Sequence, residues 1–148
     1  MLLALLPAAG CVSPHRTVVT DVDPAGGWKE AALRFVNDDT LGRYDLRFVV
    51  RYDRTLGGRI LDWDVTFESP DSLSFTERFA FRPEPARGPV SLLCDTAVCY
   101  RRDVVLRRRG DYALIVRPRT SVAGVHAVGI DLAAAESSVG GADPPSAE

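Results

Sequence analysis

Cysteine, histidine and lysine are scarce in this chain. Its 148 residues hold three Cys, two His and one Lys, Lys29. With only His15 and His126 available, a histidine-based catalytic triad has two possible positions. A His/Cys metal centre around Cys94 and Cys99 would lack ligands. The formal net charge of −2 argues against capture of nucleic acid by whole-molecule steering. No apolar run approaches the about 20 residues that a membrane-spanning helix requires. No long segment carries the 3.6-residue period of an amphipathic helix either.

What is present is alternation of period two, from Leu33 to Leu132. Tyr44, Leu46, Phe48, Val50 and Tyr52 fall on one face of a strand. Leu61, Trp63, Val65 and Phe67 do so on the next, alternating with Asp62, Asp64 and Thr66. Leu73, Phe75, Phe79 and Phe81 continue the pattern until Arg82-Pro83-Glu84-Pro85 stops it, because proline cannot donate to a ladder. Later strands centre on Val104–Leu106, Tyr112–Val116 and Val125–Leu132, and earlier ones on Thr17–Val22 and Leu33–Val36. Apolar residues on one face only argue against a parallel sheet. Seven or eight short strands separated by turns predict an all-β, antiparallel β-sandwich of jelly-roll type.

The first ten residues, Met-Leu-Leu-Ala-Leu-Leu-Pro-Ala-Ala-Gly, are apolar or small and lead into Cys11. This is the pattern of an export signal, and Ala8-Ala9-Gly10-Cys11 resembles the lipobox of bacterial lipoproteins. The resemblance implies that Cys11 is acylated and becomes the mature N-terminus. The expected organisation is a signal peptide over 1–10, a lipidated tether over 11–16, a sandwich over 17–132 and a disordered tail over 133–148. That tail is too poor in apolar residues to offset its ordering entropy. With Cys11 acylated, Cys94 and Cys99 remain as an even pair, which suits an oxidising compartment. The expectation is a disulfide closing the Asp95–Val98 loop, with free thiols and a metal site as alternatives; so short a loop contributes roughly 2 kcal/mol.

The run Tyr100-Arg-Arg-Asp-Val-Val-Leu-Arg-Arg-Arg-Gly-Asp-Tyr-Ala-Leu-Ile-Val-Arg resembles a stretch of the gliding-motility lipoprotein GldH family of Bacteroidetes. Val125-His-Ala-Val-Gly-Ile-Asp-Leu is similar to that family's final strand. Trp28 and Tyr44-Asp-Leu-Arg-Phe-Val-Val-Arg are similar upstream, so the resemblance spans about Trp28 to Leu132. Between Arg82 and Cys99 the chain departs from the family, with a Pro-rich segment and the cysteine pair in place of a Gly-Trp loop. The resemblance implies a lipid-anchored, non-catalytic protein at the outer membrane, facing the periplasm. Its partners would be the membrane, through the N-terminal lipid, and envelope proteins of a gliding or secretion apparatus. It implies no catalytic residue.

Other candidates are weighed against plainer readings. Asp62 and Asp64 flank Trp63 about 7 Å apart by strand rise, a spacing glycosidases use, yet a solvated strand face explains them as well. Asn37-Asp38-Asp39-Thr40 has the oxygen ligands Ca²⁺ takes and equally the side chains that close turns. Arg107-Arg108-Arg109 beside Gly110 reads as a solvated turn. Trp63 is in phase with core residues, whereas Trp28, Asp62 and Asp64 are the candidate contacts for a glycan or protein partner. A carbohydrate-binding module is therefore the rival reading. No cofactor, metal or nucleic acid is expected.

Overall fold

The computed structural model describes residues 16–85, 87–88 and 92–135. The expected signal peptide, Cys11, His15 and most of the C-terminal tail lie outside the described residues.

Eight strands follow in order: β1 (Arg16–Asp21), β2 (Ala31–Asn37), β3 (Arg43–Asp53), β4 (Leu61–Glu68), β5 (Ser74–Phe81), β6 (Leu93–Val105), β7 (Gly110–Pro118) and β8 (Val125–Ala134). They form two antiparallel sheets, β1-β8-β3-β6 and β2-β7-β4-β5. This interleaved order is that of a jelly roll, in which consecutive strands alternate between the sheets except at the β4–β5 hairpin. The strands start one residue before the expected sandwich and end beyond it. Strand β8 runs to Ala134, and the Ala135 N–H donates to the Arg43 carbonyl at 2.8 Å.

The alternation read from the sequence places the core. Tyr44, Leu46, Phe48, Val50 and Tyr52 of β3 are all buried, as are Leu61, Trp63 and Val65 of β4 and Val128, Ile130 and Leu132 of β8. Trp63 is 1% exposed, with Phe81 (4.8 Å), Phe48 (5.6 Å) and Trp28 (6.2 Å) meeting it edge-on. Such geometry suits the positive edge and negative face of aromatic rings. The pattern is weaker in β5, an edge strand, where Phe81 is buried but Phe75 remains half exposed. Leu73 precedes that strand and is exposed.

Strand β6 is longer than its sequence advertises. It begins at Leu93 and pairs with β3 without interruption from Leu93↔Asp53 to Cys99↔Arg47. The segment expected to be a disulfide-closed loop is therefore extended. Cys94 packs against the core with Val98, whereas Cys99 lies on the opposite, exposed face. Five residues of extended chain separate their Cα atoms by about 16 Å, and a bridge tolerates about 7 Å. Both thiols are free. The expected Cys94–Cys99 disulfide is incompatible with this strand.

On the outward face of the first sheet, Val19, Gly129, Val49 and Ala97 form one cross-strand row. A Cβ added at Gly129 would lie 2.7 Å from the Val18 carbonyl oxygen and from Val49 Cγ2, and 2.8 Å from Val19 Cγ2. A backbone oxygen cannot move without disturbing the β1–β8 ladder. Gly129→Ala is therefore expected to destabilise the fold by about 1–3 kcal/mol, the usual cost of overpacking. Urea unfolding measures it, and an unchanged midpoint would refute this account of the row.

Candidate interaction surfaces

Asp62 and Asp64 both stand on the outward face of β4, as their alternation with Trp63 requires. Each is matched to arginine. Arg78 Nε and NH2 donate to the two oxygens of Asp62 at 2.8 and 2.7 Å, and Arg119 NH1 donates to Asp64 at 2.9 Å. Arg119 Nε also lies 3.9 Å from Asp62. The Asp62↔Ala80 and Asp64↔Arg78 register brings the first arginine alongside, and Asp64↔Arg117 on the other side leads to Arg119. The hydrogen bond from Arg78, aided by its charge and by that of Arg119, holds the Asp62 carboxyl below its ordinary pKa.

Trp28 is a core residue, contrary to its reading as an open contact. It is 9% exposed, and its ring meets Trp63 at 80°. Its neighbours do form an open hollow of about 660 Å³, lined by Trp28, Lys29, Asp64, Arg117, Arg119 and Ser121. A second hollow, of about 590 Å³, lies over Val19, Val49 and Ala97 on the first sheet, with Asp21, Arg51 and Asp95 at its margin. Ala127, with almost no side chain, also lines it.

The Asn37–Thr40 segment is used in turn closure. Asn37 is buried, and its Nδ2 donates to the carbonyls of Leu106 (3.0 Å) and Arg108 (2.9 Å). Asp39 Oδ1 accepts from the N–H groups of Leu41 and Gly42, at 2.9 and 3.0 Å. Asp38 pairs with Arg16 at 3.2 Å. No cluster of three or more potential metal ligands occurs among the described residues. His126 is half-buried, with Nε2 2.7 Å from Asp53 Oδ1.

Between the two edge strands β5 and β6, Tyr100 donates to Glu77, and Arg101 pairs with the other Glu77 oxygen. Burial, then the hydrogen bond to Glu77, pushes the Tyr100 hydroxyl well above its ordinary value. Sequence reasoning missed this clamp, because Glu77 interrupts the apolar phase of β5 and its partners stand on a strand of the other sheet.

Acid sensitivity follows from the carboxylates. Asp39, Asp62, Asp71, Asp95 and Asp103 all have pKa values lowered from 3.8. The main causes are hydrogen bonds from Leu41 N–H, Arg78, Ser69, Arg51 and Arg43 respectively. Their stabilising contribution is present above 3.8, the unfolded value, and is lost as pH falls through the lower folded values. The urea midpoint is expected to be lower at about pH 3 than at about pH 7; equal midpoints would contradict it.

No helix among the described residues is long and apolar enough to cross a membrane. No family model matches the chain, and no curated protein does. Among solved structures it is similar to a chain of the structure of infectious bursal disease virus Gx strain, with a TM-score of 0.37 and 12% identity. The alignment covers 89% of this chain and 34% of that one, so this chain spans about a third of its length. At that level of similarity nothing about activity carries across.

Proposed function

We propose that the chain is a lipid-anchored, non-catalytic envelope protein resembling the gliding-motility lipoprotein GldH. Held by acylated Cys11 at the outer membrane and facing the periplasm, it presents a rigid surface to protein partners of a gliding or secretion apparatus. The observation that carries this reading is the apolar run ending in Ala8-Ala9-Gly10-Cys11, only five residues ahead of Arg16, where β1 begins. Five residues reach at most about 18 Å, which keeps the sandwich against the bilayer. A glycosidase reading is disfavoured by electrostatics. A general acid needs a raised pKa, whereas Arg78 lowers that of Asp62.

The test is cross-linking of the full chain in its native membrane, followed by affinity purification. A recurring envelope protein is expected, and repeated capture of none would contradict the proposal. The hollow beside Trp28, with Asp64, Arg117 and Arg119 at hand, favours carbohydrate binding as the second reading. Strong binding on a glycan array that is abolished by Asp64→Ala would make it the better one.

A further inference from the structure

We infer that the pole of the sandwich at which β1 starts is a docking face for an anionic lipid bilayer. Leu41 and Leu73 enter the headgroup region, and Arg107 and Arg109 meet lipid phosphates. The inference takes its membrane setting from the lipid-anchored reading, but its argument lies in the geometry of four turns.

The antiparallel order brings to this pole the start of β1, the 38–42 turn, the 69–73 turn and the 106–109 turn. The first is tied in by Arg16, whose guanidinium reaches the Val36 carbonyl and Asp38. Two of the turns carry leucine outward: Leu41 is 87% exposed and Leu73 68%. Neither is loosely held. Asp39 closes the first turn on Leu41 N–H and Gly42 N–H. In the second, the Ser69 N–H donates to the Leu73 carbonyl at 2.9 Å and the Ser72 N–H to the Ser69 carbonyl at 3.0 Å. Ser72 there adopts φ 64°. Turn positions usually carry polar residues, and a leucine fixed in water at a turn tip is matched by an apolar acceptor.

The arginine turn is pinned from three sides. Arg108 pairs with Asp71 at 3.2 Å, its carbonyl accepts from Asn37 and Tyr112, and Gly110, at φ 122°, packs beneath Pro70. Arg108 is thus committed to the protein. Arg107 and Arg109 are exposed and form no ion pair among the described residues, although the charge of Arg109 is felt by Asp39 in the neighbouring turn. Between the 69–73 and 106–109 turns runs an open groove of about 510 Å³, walled by Phe67, Leu73, Val104 and Leu106 and rimmed by Arg107 and Arg108. Apolar tips beside cations on a rigid frame match a surface of anionic headgroups over acyl chains.

The opposite pole also exposes apolar side chains, Ile60 and Leu92. A tether of five residues reaches about 18 Å, whereas the 11 residues of β3 span the sandwich over about 36 Å. Anchored at Cys11, the chain cannot stand upright on that far pole with the pole of β1 turned away from the membrane.

The test uses the full chain with Cys11→Ser, so that no acyl group contributes, and vesicles of either phosphatidylglycerol with phosphatidylethanolamine or phosphatidylcholine alone. Co-sedimentation is expected with the anionic vesicles and not the zwitterionic ones, and it should weaken at about 0.5 M salt. Arg107→Glu with Arg109→Glu is expected to lower partitioning about tenfold or more. Leu41→Asp with Leu73→Asp should lower it similarly, and Ile60→Asp with Leu92→Asp should leave it unchanged. Absence of binding overturns the inference. So does binding that survives both pole variants, which would locate the affinity in the first ten residues. So does equal binding to zwitterionic vesicles. The anchoring reading fails separately, if wild-type chain from its native membrane carries no acyl group on Cys11.

Discussion

Trp63→Ala is expected to destabilise the sandwich by about 3–5 kcal/mol, the usual cost of emptying a large aromatic site. Trp63 is 1% exposed, and Trp28, Phe48 and Phe81 all set their rings against it. Phe48 in turn contacts Phe79 and Tyr100, at 5.3 and 5.0 Å. The cavity would therefore open between the two sheets, where strands cannot close up without shifting register. A domain of this size has about 5–15 kcal/mol of stability in all, so the variant would lose a large fraction of it. Urea unfolding of wild type and variant measures the difference; a loss under about 1 kcal/mol would mean that the sheets do not meet at this cluster. Trp63→Phe, which keeps most of the ring area, should cost markedly less.

The second large effect is one of location. Cys11→Ala is expected to move the protein from the carbonate-washed membrane fraction to the soluble fraction. Each buried CH₂ of an acyl chain contributes about 0.8 kcal/mol, and two or three chains together hold a protein stably. A variant that stays wholly in the membrane would contradict the anchoring reading.

The fold was legible wherever a strand is covered on one side by the opposite sheet and open to water on the other. In β3 and β4 that condition produces the clean alternation around Phe48 and Trp63, and both core faces follow from it. It fails at the margins. Strand β6 is an edge strand, and its Cys94-Asp95-Thr96-Ala97-Val98-Cys99 run has inward residues too small or too polar to stand out. The two cysteines then looked like the ends of a loop, when their odd spacing on a strand sends them to opposite faces. Trp28 was ambiguous because it lies in an irregular segment between β1 and β2, where no period assigns its side. The partners of Asp62 and Asp64 were not legible at all. Arg78 and Arg119 come alongside only through the β4–β5 and β4–β7 registers, which depend on pairing between distant segments. The arginine turn was readable as a turn, but its neighbours Leu41 and Leu73 gather around it only once eight strands have been threaded between two sheets.

The role proposed for the chain is one of contact. On the second sheet Asp62 pairs with Arg78 and Asp64 with Arg119, and every described buried side-chain nitrogen or oxygen has a hydrogen-bond partner. A scaffold with its buried polar atoms satisfied is suited to holding a surface in place. The central claim is that this surface works next to a bilayer because Cys11 holds it there. Mass analysis of the N-terminal peptide of the protein isolated from its native membrane tests that claim most directly. The account predicts a mature chain that starts at Cys11 and carries a diacylglyceryl thioether on its sulfur. An unmodified Cys11 with residues 1–10 still attached would contradict it.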